Sequence, residues 1–171
     1  AQSGDLIYLY PGTYQEDFPL TVPKGVTIQG DSIRGVEVVP TSATQSNDCF
    51  LLNSDVTIEN LTVKDFFYDS SNDTGYAFRF ANGMSTTIGD DANPGRSPYI
   101  RNVTVLTKGS TTSASDPRGF DAGDAGKGAL VDGSVVAQNS RSASMLFHSV
   151  TFITPGVDAI KITNGVRVEW L

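Results

Sequence analysis

The sequence predicts an all-β chain wound as a solenoid of parallel coils with long inserted loops, and three observations predict it. The first is the stretch Val56-Thr57-Ile58-Glu59-Asn60-Leu61-Thr62-Val63, two short apolar/polar alternations meeting at an Asn. Alternation sends Val56 and Ile58 to one face and Thr57 to the other, and Asn60 breaks the period as a sharp corner would. The second is recurrence. Val26-Thr27-Ile28-Gln29-Gly30, Tyr99-Ile100-Arg101-Asn102-Val103-Thr104-Val105 and Leu146-Phe147-His148-Ser149-Val150-Thr151-Phe152 repeat the design, with corners 30, 42 and 47 residues apart (60 − 30, 102 − 60, 149 − 102). Gly and Asn suit a positive-φ corner, and Ser suits it less well. The third is a second repeated element. Ala77-Phe78-Arg79-Phe80-Ala81-Asn82-Gly83 parallels Ala159-Ile160-Lys161-Ile162-Thr163-Asn164-Gly165, with weaker copies at Phe50–Ser54 and Ala129–Gly133. Two repeats at irregular spacing mean coils separated by insertions. Parallel crossovers are right-handed, so the expected fold is a right-handed, single-stranded parallel β-helix with Gly30, Asn60, Asn102 and Ser149 near one corner.

Composition agrees with an all-β chain. No i, i+3, i+4, i+7 stripe is sustained, Thr, Val, Ile, Phe and Tyr fall in short alternating runs, and Gly, Asn, Asp and Ser cluster between them. At 171 residues the chain is one domain by size. It has 12 Lys+Arg against 19 Asp+Glu, a formal net charge of −7, and no basic cluster, which argues against a nucleic-acid partner. No apolar run approaches the ~18 residues of a spanning helix, so no membrane partner is expected. The single Cys49 is expected to be a small core residue in a strand.

Taken in order, Gly4-Asp5-Leu6-Ile7-Tyr8-Leu9 is an alternating strand closed by a Pro11-Gly12 turn into Thr13-Tyr14. Phe18 to Val22 is a second short strand, and Pro23-Lys24-Gly25 turns the chain into Val26-Thr27-Ile28. Residues 4 to 30 closely resemble the first coils of right-handed parallel β-helices of the pectate-lyase-like superfamily, and the later repeats extend that likeness loosely over the whole chain. The resemblance implies a capping helix before Gly4-Asp5, of which Ala1-Gln2-Ser3 looks like the last piece. Val166-Arg167-Val168-Glu169-Trp170-Leu171 lies in an alternating strand. The expectation is therefore one β-helix domain over 1–171 within a longer chain, whose open ends meet the rest of that chain or other subunits, including a homo-oligomer. Coils would stack about 4.8 Å apart, each inward position lying on its like. The inward set runs from Ile7, Leu9, Val26 and Ile28, through Val36, Val38, Phe50, Leu52, Val56, Ile58, Leu61, Val63, Phe78 and Phe80, to Ile100, Val103, Val105, Val135, Phe147, Val150, Phe152, Ile160, Ile162, Val166 and Val168.

Three insertions interrupt the coils, over 66–76, 89–98 and 107–128. Long loops on a rigid stack are where binding and catalysis usually sit. Asp116, Asp121, Asp124 and Asp132, with Asp90 and Asp91 apart from them, supply carboxylates for acid/base work on a glycosidic bond or for holding a Ca²⁺, the one cofactor these loops suggest. Asp is equally a turn former, which is its more ordinary role. Phe66, Phe67, Tyr68, Tyr76 and Phe120 can stack on sugar rings or anchor a loop to the coil wall, the latter being the commoner use. The expected contacts for carbohydrate or Ca²⁺ are Tyr68, Tyr76, Asp116, Asp121 and Asp124. His148 is the only histidine and should point outward, since Phe147 points inward; with one His and one Cys, a transition-metal site is not expected.

No nucleophile–base pair has a defensible spacing. The catalytic motifs of the pectate lyases, polygalacturonases and pectin methylesterases find no match beyond a faint echo in Asp158-Ala-Ile-Lys-Ile. The leading expectation is a non-enzymatic structural or interaction module of a tailed-bacteriophage virion, such as a fibre, spike or baseplate-attached protein, contacting surface polysaccharide. Its Thr-, Ser-, Gly- and Asn-rich composition and the segment Asn164–Leu171 resemble such proteins. The alternatives are a polysaccharide lyase or glycoside hydrolase, and a bacterial surface or adhesin repeat. Each places the protein on a virion or outside a cell.

Overall fold

The computed structural model describes residues 1–42, 44–86, 95–109, 124–137, 143–154 and 157–171. The strands are β1 (Leu6–Leu9), β2 (Gly12–Glu16), β3 (Leu20–Val22), β4 (Thr27–Gly30), β5 (Val36–Pro40), β6 (Phe50–Leu52), β7 (Thr57–Lys64), β8 (Tyr76–Phe80), β9 (Tyr99–Leu106), β10 (Lys127–Asp132), β11 (Ser144–His148), β12 (Thr151–Ile153), β13 (Ile160–Thr163) and β14 (Arg167–Trp170). The fold is all-β, and these strands pair in parallel in two sheets. The larger sheet carries the path β1-β4-β7-β9-β11-β14, with β2, β5 and β12 joined to the far halves of β7 and β9; the smaller runs β3-β6-β8-β10-β13.

Both repeats read from the sequence are rows of this pairing. Gln29 pairs with Glu59, Glu59 with Arg101 and Arg101 with His148, which brings the residues after them, Gly30, Asn60, Asn102 and Ser149, into one row. Phe50 pairs with Phe78, Phe78 with Ala129 and Ala129 with Ile160, so the four copies of the second element lie side by side in the smaller sheet.

The corner differs from expectation at its two extremes. Asn60 (φ 58°), Asn102 (φ 50°) and Ser149 (φ 53°) all take the left-handed conformation, although Ser suits it least. Gly30 does not; a Cβ there would lie 2.1 Å from the Asn60 carbonyl oxygen, so glycine is required for close approach instead. The Asn102 amide nitrogen donates to the Asn60 amide oxygen at 2.7 Å, a side-chain rung between neighbouring corners.

Inside, like lies on like. Phe50, Phe78, Ile58, Ile100, Val63, Val105 and Phe147 are buried in one apolar cluster, and the Phe50 and Phe78 rings stack at 5.9 Å. Each fully buried side chain of this kind contributes about 1.5–3 kcal/mol. Cys49 is buried in the same cluster, which drives its thiol pKa well up. Ile7 and Ile162 occupy inward rows but are 39% and 50% exposed, because each belongs to an outermost strand; Trp170, packed on Phe147, is 52% exposed. Residues 1–5 form a turn, closed by the Asp5 amide donating to the Gln2 carbonyl, where a helical end was expected. Among the described residues no helix is long and apolar enough to cross a membrane.

Candidate functional site

Tyr68, Tyr76 and Asp124 meet on the outer side of the smaller sheet. The insertion at 66–76 is anchored by Phe66, which is wholly buried in the core, and then turns back on itself, Asp69 exchanging backbone hydrogen bonds with Thr74. Asp69 tightens this turn by accepting from the amide and hydroxyl of Ser71 and the side chain of Asn72. The loop is tied to the chain entering β10: the Tyr68 amide donates to the Asp124 carbonyl, and the Lys127 amide to the Gly75 carbonyl, both at 2.9 Å. Gly75 (φ 100°) admits no side chain, since its Cβ would lie 2.1 Å from the Phe67 carbonyl oxygen.

This backbone brings five charged groups together. Asp73 accepts from the hydroxyls of Tyr68 (2.9 Å) and Tyr76 (2.8 Å) on one oxygen and from the Lys161 ammonium (2.8 Å) on the other. Asp48 accepts from the amides of Gly75 (3.0 Å) and Tyr76 (3.1 Å) and pairs with the Arg79 guanidinium at 3.0 Å. The Lys127 ammonium lies 3.6 Å from the centroid of the Tyr68 ring. Arg79 and Lys161 hold the same position in the two strongest copies of the repeated element, flanking Leu130 across the sheet.

The electrostatics follow from that geometry. Burial alone would raise the Asp73 carboxyl, but Lys161 and the hydroxyls of Tyr76 and Tyr68 outweigh it and hold the pKa at about 2. Burial and then the Asp73 carboxylate push the phenol of Tyr76 far up, and the same two causes raise that of Tyr68. Lys161 is raised in turn by Asp73. At neutral pH the site therefore holds an ionised carboxylate already engaged by three donors, with both oxygens bonded. It serves as an anchor and has no proton to give.

The sequence-derived contacts are placed unevenly. Tyr76 is wholly buried and presents no face to solvent; Tyr68 is half-buried with a cation over its ring. Asp116 and Asp121, like Asp90, Asp91 and Phe120, lie outside the described residues. Among the described residues no three His, Cys, Asp or Glu side chains converge as a metal site. Asp48, Asp73, Arg79, Lys127 and Lys161 were not singled out from the sequence; the shared repeat position of Arg79 and Lys161 was the available signal. His148 does point outward, and its Nδ1 lies 2.7 Å from the Tyr99 hydroxyl. No family model, curated protein or solved structure matches this chain.

Proposed function

We propose that the chain is a structural and interaction module, built as a right-handed parallel β-helix of the kind found in tailed-phage fibres and spikes, that contacts surface carbohydrate on a virion or outside a cell. The observation that carries this reading is the all-parallel strand pairing of both sheets, together with the single apolar cluster they bury. Such a stack is a stiff rod that displays its outward rows and loops at fixed spacing. The charged groups on the smaller sheet support the same reading, because they are spent on one another and on the loop they hold. The apolar side chains of the outermost layers, Ile7 at one and Ile162 and Trp170 at the other, are surfaces for further polypeptide or another subunit.

A screen against pectin, alginate and bacterial exopolysaccharides tests the proposal, reading retention on immobilised polysaccharide together with release of reducing ends and unsaturated products. Retention without product is the expected result. Turnover would replace the proposal with the lyase or hydrolase alternative, and neither retention nor turnover would remove the carbohydrate.

A further inference from the structure

A groove of about 500 Å³ opens on the outer side of the larger sheet, beside β14. Its size falls in the range of small-ligand sites, about 300–1,000 Å³. Tyr99 and Leu146, neighbours across β9 and β11, give it an apolar floor. The Tyr99 ring is held in place: its hydroxyl bonds His148 Nδ1, and the two rings lie 6.3 Å apart at 22°. Ser97 and Ser144 line one wall with hydroxyls 3.1 Å apart, and the Ser144 hydroxyl donates to Glu169 Oε1 at 2.9 Å.

Unlike the smaller sheet's cluster, this groove keeps polar capacity in hand. Arg96 is pinned through its backbone, its amide donating to Asp55 Oδ1 at 2.7 Å while its carbonyl accepts from the Asp55 amide at 2.8 Å. Its guanidinium has no carboxylate partner among the described residues. Arg167 is only loosely paired, with Nε 3.5 Å from Glu169 Oε1. Fixed aromatic floor, hydroxyls, carboxylate acceptors and a guanidinium with no carboxylate partner among the described residues together match one chemistry. A pyranose offers a C–H face to the ring and hydroxyls that both donate and accept; a carboxylate on that sugar fits the guanidinium fork. Asp55 and Glu169 in the same groove favour a monoanion over a dianionic phosphate, and a carboxylate is the monoanion whose two oxygens match the guanidinium fork.

We infer that this groove binds a carboxylate-bearing sugar unit of a glycan, with the carboxylate on Arg96, the ring on Tyr99 and the hydroxyls among Ser97, Ser144 and Glu169. The inference rests on the carbohydrate-contact reading above and adds the place and the charge preference. Isothermal calorimetry on the full chain tests it, with sialyllactose and trigalacturonate as acidic probes and maltotriose as the neutral one. At least one acidic probe is expected to bind, and more tightly than maltotriose. Arg96→Ala should weaken that binding about tenfold or more, Arg96→Lys should restore part of it, and Tyr99→Ala should weaken acidic and neutral probes alike. Far-UV circular dichroism of each variant confirms that the coils remain. Equal binding of maltotriose overturns the charge preference, and an Arg96→Ala variant that binds like the parent overturns the site. If neither acidic probe binds at millimolar concentration while the chain is still retained on polysaccharide, the groove falls and the carbohydrate-contact reading stands.

Discussion

The outer faces of the two sheets carry similar residue types and use them in opposite ways. On the smaller sheet Asp48, Asp73, Arg79, Lys161, Tyr68 and Tyr76 satisfy one another, and the product is a loop clamped onto β8, β10 and β13. On the larger sheet Arg96 and Arg167 stand beside a groove, the first without an acid partner among the described residues and the second with a distant one. A dense group of charges is therefore a poor guide to a binding site by itself. What matters is whether hydrogen-bonding capacity remains after the fold has taken its share.

The two faces share an interior, so a lesion there should abolish both. Ile58→Asp puts a carboxylate with no partner into a wholly buried apolar row, costing several kcal/mol against a typical margin of about 5–15. The variant should be unfolded or aggregated by circular dichroism and sedimentation; a soluble chain with the parental Tm would show the inside/outside register to be wrong. The corner comes next. Asn60→Val forces a β-branched residue into positive φ and removes the acceptor of the Asn102 side chain, a loss of about 1–3 kcal/mol, whereas Asn60→Gly keeps the backbone and should lose less. Equal melting curves for the two would sever the link between corner and stability.

The comparison itself is sharpened by removing one acid from each face. Asp73→Ala strands the buried Tyr76 hydroxyl, the Tyr68 hydroxyl and the Lys161 ammonium, and should cost about 1–2 kcal/mol, the Lys161 part being reduced by solvent screening. Glu169→Ala leaves the Ser144 hydroxyl still within reach of Ser97 and should stay within about 0.5 kcal/mol. Matched urea titrations of the two variants check this, and equal losses would break the distinction. The smallest effect is with pH. The Asp73 carboxyl is depressed from 3.8 to about 2 in the folded chain, so its contribution is fully present above the unfolded value and is lost as pH falls through about 4 towards 2. Asp73→Ala should flatten that part of the acid-stability profile, and an unchanged slope would assign acid sensitivity to other carboxylates.

Strand pairing was legible because it is written twice along the chain. Alternation marks the strands, and the recurrence of Gly30, Asn60, Asn102 and Ser149 fixes which residues become neighbours, so the spacings 30, 42 and 47 reappear in the ladders. The physical role of a corner residue was less legible: Gly30 is set by the Asn60 carbonyl pressing on it, a contact between the neighbouring strands β4 and β7 that no local pattern announces. Tyr76 was read either as a sugar contact or, more commonly for such a residue, as a loop anchor; it opens β8 beneath that loop and is buried, as an anchor is. The groove was missed altogether. Asp55, Arg96 with Tyr99, Ser144 and Glu169 come from four separate stretches of the chain, each residue an ordinary turn or strand residue in its own context, and only the parallel pairing of the strands brings them together.

The central claim is that the satisfied face is structural and the unsatisfied face binds. Amide chemical shifts of the isotope-labelled chain, followed during titration with whichever acidic trisaccharide binds in calorimetry, test it most directly. The account predicts saturable shifts at Arg96, Ser97, Tyr99, Ser144 and Glu169, with Tyr68, Asp73, Tyr76 and Lys127 unmoved. Shifts confined to Tyr68, Asp73, Tyr76 and Lys127 would contradict it.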